Sequence, residues 1–219
     1  MKRTRFRPYV TDGLLIVMVT VYLVMSLTGG TSNSANLVRF GAKVNPLILR
    51  GEYWRLVTPI FIHLSLTHIL FNGITLYYVG SMVERTFGHF RLLVLFMVSG
   101  ITGDVFSFAF SPVLSAGASG AIFGLLGAFM MVGETAWRNP FVRHVTKILI
   151  VFILLNLVSD FFTVGIDIAG HLGGLIAGFL TAYVVGLPVK RNVPRFKRLV
   201  AGVTLGLLLL AVLYRGFVQ

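Results

Sequence analysis

The chain has 219 residues, 56% of them hydrophobic and only 12% charged, with a mean hydropathy of +0.89 and a net charge of +12. So few charges cannot cover a water-soluble domain of this length, and the chain reads as one membrane domain. The absence of cysteine excludes disulfides, iron–sulfur clusters and thiol catalysis. The basic residues sit in short clusters between apolar runs, which is a topology signal and not a nucleic-acid footprint.

The start of the chain, MKRTRFRPYV, is basic and leads into an apolar run. That run is longer than a signal-peptide core and no small-residue cleavage site ends it, so a first membrane helix near Gly13–Leu27 is expected. Further spans are predicted near Leu66–Val83, Leu92–Phe110, Ala118–Val132, Ile148–Phe162, Ile168–Val185 and Leu199–Leu213. Together these define an all-α, polytopic membrane helical bundle of seven transmembrane helices, six plus one. Residues 1–12 are expected to be a cytoplasmic basic N-terminus, 13–186 the membrane core, and 187–219 a basic linker with an extra C-terminal span. The segment 30–58 is long and mixed, and its Tyr53, Trp54 and Arg55 suit the headgroup zone.

Basic residues orient the bundle. With the N-terminus inside, fourteen of the nineteen Lys and Arg residues fall on the inner side. They are Lys2, Arg3, Arg5, Arg7, Arg85, Arg91, Arg138, Arg143, Lys147, Lys190, Arg191, Arg195, Lys197 and Arg198. Arg39, Lys43, Arg50, Arg55 and Arg215 fall outside. The expectation is therefore N-in and C-out.

Polar groups inside a bilayer are costly and mark candidate functional sites. His63, His68 and Asn72 accompany the second span, Asp104 the third, Ser119 the fourth, Asn156 the fifth, and Asp167 and His171 the sixth. The second, fourth and sixth spans all run inward from the outer side. Helix rise then puts Ser119 and His171 roughly 5–10 Å below the outer edge. A lone Ser in a membrane helix is usually a packing residue, and a lone buried His is often simply satisfied by its neighbours. Their convergence at one depth favours a site.

Ser119 sits in Gly117-Ala118-Ser119-Gly120 at a helix start, where free N–H groups and the helix dipole favour an anion. His171 borders Gly170, Gly174 and Gly178, a small-residue row that permits close helix approach and would bring it to Ser119 as a general base. His68 and Asn72 are four apart, share a helix face, and can donate to an oxyanion. Metal binding by His63 and His68 is the rival reading. It lacks an HExxH motif and an identifiable carboxylate partner, so no metal or other cofactor is expected.

These residues carry a resemblance to the rhomboid family of intramembrane serine proteases. The matching features are Trp54-Arg55, His63-x4-His68-x3-Asn72, Gly80-x3-Glu84-x3-Gly88, the GASG segment at Ser119 and Gly170-His171, in order from about 54 to 178. The resemblance implies a six-helix protease core with Ser119 as nucleophile and His171 as base in a dyad. It implies an oxyanion site from His68, Asn72 and the Ser119 N–H, with Gly117 and Ala118 beside it. It further implies an outward-opening cavity covered by the loop near 161–167, transmembrane protein substrates in lipid, and a bacterial plasma membrane location. Phe123 stands where some members carry Tyr; its ring can pack beneath His171 without the hydroxyl. Asp167 could orient His171 as a third member, but the dyad favours a capping role. His63 is a supporting candidate. Trp54, Arg55, Glu84, Gly88, Gly174 and Gly178 are expected to be structural, as is Asp104. A solute transporter and a catalytically silent helix-binding, chaperone-like protein are the rival functions; no nucleic-acid partner is expected.

Overall fold

The structure is a computed structural model and describes residues 6–163, 165–188 and 193–218. Lys2, Arg3, Arg5, Lys190 and Arg191 lie outside the described residues, as does position 164 of the expected covering loop. Among the described residues the architecture is all-helical, with one isolated antiparallel bridge between Lys43 and Ser115.

The first long helix, α1, spans Tyr9–Leu27. The segment that follows is more ordered than a mixed loop. It forms α2 (Ser34–Phe40) and α3 (Asn45–Leu49), then 3-10 turns at Tyr53–Leu56 and Thr58–Phe61. Local chemistry sets α2: the Asn33 side chain accepts from the Ala35 and Asn36 N–H groups, and Gly41 ends the helix in the left-handed region at φ 98°.

The second apolar stretch begins at Ser65, whose hydroxyl caps α4 (Leu66–Thr75) by accepting from the His68 N–H. A π-helical segment, Leu76–Gly80, joins it to α5 (Ser81–Phe87). Gly88, at φ 91°, turns the chain into α6 (His89–Phe110). Then come α7 (Ser119–Thr135), α8 (Pro140–Phe162), α9 (Ile168–Val185) and α10 (Arg195–Val218). The α8 helix starts eight residues before the predicted Ile148, because Asn139 caps it and Pro140 fits its first turn.

Burial sorts the helices into a centre and a periphery. Twelve of the 17 residues of α7 are buried, whereas α8 buries three of 23, namely Thr146, Ile153 and Asp160. Helices α6, α7 and α9 form the centre, and α1, α8 and α10 present apolar residues outward. Among the described residues five helices are long and apolar enough to cross a bilayer: α1, α6, α8, α9 and α10. The α7 helix is apolar but shorter, and α4, the π segment and α5 together make the remaining apolar path.

Glycine sets how closely the central helices approach. A Cβ on Gly174 would lie 2.7 Å from the Gly120 carbonyl carbon and closer still to its oxygen. A Cβ on Gly178 would meet the Gly124 backbone in the same way. Gly174 and Gly178 thus let α9 lie directly on the α7 backbone, while a Cβ on Gly170 would face Asp167 and the Gly103 carbonyl of α6.

Candidate active site

The end of the bundle where α4, α7 and α9 begin holds a cavity of about 710 Å³. Ser119, His171, His68, Asn72 and Phe123 line it, with Asn156 facing it from α8. Ser119 is the first residue of α7, and its Oγ lies 2.7 Å from His171 Nε2. The first N–H groups of α7 have no acceptor within the helix, since the earliest helical bond runs from the Ile122 N–H to the Ala118 carbonyl. A histidine-bonded hydroxyl and a set of N–H groups free to meet an anion therefore share one helix terminus.

Two supports fix this terminus. The Gly117 N–H donates to the Pro59 carbonyl at 2.9 Å, and the Lys43 N–H donates to the Ser115 carbonyl at 2.9 Å. Gly117 adopts φ 141°, and a Cβ there would stand 2.8 Å from His68 Cε1 and Nε2, so glycine lets the His68 ring close over the loop. Ala118 is fully buried. Lys43 is also fully buried and donates to Asn45 Oδ1 and to the Ser111 and Val113 carbonyls, at 2.7–3.0 Å. Loss of hydration pulls its ammonium down to about 8.

The His171 ring is held on three sides. Phe123, one helical turn along α7, stacks on it at 4.4 Å between centroids and 11° between planes. Ser119 meets Nε2. On the other nitrogen, Nδ1, the partner is Asp160 Oδ2 at 2.6 Å, supplied by the end of α8. Asp167, the carboxylate weighed from sequence as a third member, instead caps α9 by accepting from the Gly170 N–H. Sequence reading missed Asp160, although an acidic residue within a predicted span met the same criterion that singled out Asn156.

The remaining predicted residues fall into place as follows. Asn72 is buried, and its amide donates to the His68 carbonyl at 3.0 Å. His63 is buried edge-on to His68, 5.2 Å between centroids, and burial first, then His68, pushes it down to about 3. Asp104 is buried on α6 and does not line the cavity. Arg55 is buried and donates to the Val38 and Ala42 carbonyls while pairing with Glu52 at 2.6 Å; Trp54 is exposed beside it. Glu84, fully buried, accepts from the Val10 and Thr11 N–H groups and the Thr11 hydroxyl, tying α5 to the start of α1.

The site is thus a serine and a histidine hydrogen-bonded in the lining of a cavity at one end of a helical bundle. The rhomboid domain model matches residues 50–188, and the chain belongs to the rhomboid family. With its apolar helices, this makes it an integral, multi-pass membrane protein. It is 43% identical over 210 residues to Rhomboid protease GluP of Bacillus subtilis (strain 168), covering 96% of this chain and 41% of the relative. It is 34% identical over 140 residues to Putative rhomboid protease YdcA of the same organism, covering 63% of this chain and 69% of the relative. Rhomboid protease GlpG of Salmonella choleraesuis (strain SC-B67) is 33% identical over 186 residues, covering 84% of this chain and 65% of the relative. The chain thus spans about two fifths of GluP and just under two thirds of GlpG.

Proposed function

We propose that the chain is an intramembrane serine endopeptidase that cuts substrate transmembrane helices near their outer ends. The observation that carries this reading is the 2.7 Å bond between Ser119 Oγ and His171 Nε2 in the lining of the cavity. Serine is a poor nucleophile until a base takes its proton. In the proposed reaction Ser119 Oγ bonds to the scissile carbonyl carbon while its proton passes to His171 Nε2. The tetrahedral oxyanion is met by N–H groups at the start of α7, with His68 and Asn72 as side-chain donors. The C–N bond breaks as the imidazolium returns the proton to the leaving amine. Water then attacks the acyl-enzyme by the same route and frees Ser119.

The family, and relatives whose names describe rhomboid proteases, support the chemistry. The excess of basic residues at the opposite end of the bundle supports an N-in orientation, with the cavity facing outward and the cut in the outer leaflet. A helical peptide bond is screened and already hydrogen-bonded, so a substrate segment must unwind before Ser119 can reach it. A Gly-Pro pair near the cut lowers that cost.

The test is cleavage of a labelled single-span protein carrying a Gly-Pro pair just below its outer end, with mass spectrometry of the products. Wild type is expected to cut near that pair, and Ser119→Ala and His171→Ala to leave the substrate intact while still inserting and purifying. Robust cleavage by Ser119→Ala sinks the assignment, and cleavage at the cytoplasmic end sinks the orientation. A helix-binding, chaperone-like protein would retain the substrate without cutting it and would not react with a fluorophosphonate.

A further inference from the structure

We infer that Asp160 is a positioning residue that fixes the tautomer of His171 and holds its imidazolium, so that three side chains and not two set the reactivity of the site. The inference rests on the peptidase reading above and departs from a two-residue mechanism.

The geometry is specific. Asp160 Oδ2 stands 2.6 Å from His171 Nδ1, and Ser119 Oγ stands 2.7 Å from Nε2, so the two nitrogens have separate partners. An ionised carboxylate only accepts, so Nδ1 must carry the proton. Nε2 is then the bare nitrogen, directed at the serine hydroxyl, which is the tautomer a general base requires. Without Asp160 the other tautomer competes, and in that form Nε2 has no lone pair for the serine proton. Phe123 stacks on the ring face but has no atom that can choose between the two forms.

Burial strengthens the case. The side chains of His171 and Asp160 are 10% and 9% exposed. Water competes weakly for such a bond, and a carboxylate removed from water is costly unless it is paired. When the serine proton reaches Nε2, the new positive charge forms beside a negative one already in place. Asp160 acts by position and moves no proton itself. The other ionisable groups around the ring are placed differently. His68 faces it from α4, Asp167 is spent on the cap of α9, and Asp104 lies buried on α6.

A purely structural role is the competing account. The three buried residues of α8, Thr146, Ile153 and Asp160, recur every seven positions, so the helix touches the bundle along one line. Asp160 is the last contact of that line and could serve only to fasten it. The two accounts separate in a pH profile.

The experiment measures the rate at which a fluorophosphonate labels the purified full chain, from about pH 5 to pH 9, together with thermal unfolding. Wild type is expected to label and Ser119→Ala not to. Asp160→Asn is expected to cut the labelling rate by about 100-fold or more. Its pH–rate profile, acid limb included, should differ from the wild type's, because the imidazolium that forms has lost its partner on Nδ1. Asp160→Glu should recover part of the rate. Labelling of Asp160→Asn at the wild-type rate with an unmoved acid limb overturns the inference while leaving Ser119 and His171 intact. So does a loss that follows the fall in thermal midpoint with the acid limb unmoved. Failure of wild type to label overturns the peptidase reading and this inference with it.

Discussion

Replacing Gly174 by alanine adds one methyl group where α9 lies directly on the α7 backbone, next to the Ser119–His171 pair. The new Cβ would stand 2.7 Å from the Gly120 carbonyl carbon. Ordinary carbon–carbon contacts sit at about 3.5–4.0 Å, so the helices must part by about 1 Å. Neither partner can yield, because both sides of the contact are helix backbone. Gly120 adjoins Ser119, and Gly174 lies one turn from His171, so the displacement falls on the reacting pair. Their 2.7 Å bond would stretch to about 3.7 Å, beyond hydrogen-bonding range. A misplacement of that size costs about 100-fold in rate. Overpacking adds about 1–3 kcal/mol of destabilisation. The assay is kcat/KM on the Gly-Pro substrate alongside thermal unfolding of the same preparation. Gly206→Ala is the control, since a Cβ there meets nothing within 4 Å and should leave the rate unchanged. Wild-type kcat/KM for Gly174→Ala, with an unshifted midpoint, would refute the claim that backbone contact sets the Ser119–His171 distance.

Further outcomes follow from the surrounding residues. His68→Ala and Asn72→Ala should each slow cleavage by roughly 100-fold or more without abolishing it, the usual cost of one oxyanion donor; unchanged turnover in both single variants and the double removes them from the mechanism. Arg55→Lys keeps the charge but loses the fork that reaches the Val38 and Ala42 carbonyls and Glu52, so unfolding should be about 2 kcal/mol easier, read as faster proteolytic nicking between residues 30 and 58. An unchanged nicking rate would contradict that role. His63 is neutral when folded, held to about 3 against 6.5 in the unfolded chain. Below 6.5 the unfolded chain takes the proton first, so stability falls as pH drops through that window. His63→Phe should lose less thermal midpoint than wild type between about pH 7 and pH 4.5; equal losses would assign the acid sensitivity elsewhere.

Much of the architecture was legible because lipid imposes simple rules. Apolar runs long enough to span a bilayer located the main helices, and α9 was predicted with its observed ends, Ile168 and Val185. The meeting of Ser119 with His171 was foreshadowed by the glycine row, whose spacing of four marks a face without side chains. The start of α8 was missed because Arg143, His144 and Lys147 resemble a loop, although Asn139-Pro140 is a helix-start signal. The π segment at Leu76–Gly80 has no comparable local signature, and tertiary packing decides it. Residues 30–58 were read as mixed loop because, beyond the locally capped α2, their order comes from distant partners. Arg55 reaches back to Val38 and Ala42, and Lys43 reaches forward to Ser111 and Val113. The contact between Asp160 and His171 was invisible for the same reason, since pattern reading follows one helix at a time.

The supports beneath Ser119 also set an order of assembly during synthesis. Lys43 and Pro59, which hold the approach to the nucleophile, leave the ribosome before Ser119 does. The nucleophile's cradle can therefore form as soon as α7 inserts. His171 follows 52 residues later, with Asp160 shortly before it on a different helix. A nascent chain halted before residue 160 carries a seated serine with nothing to deprotonate it. On the proposed chemistry such a chain would be inert, and reactivity would wait for α9 to close against α7.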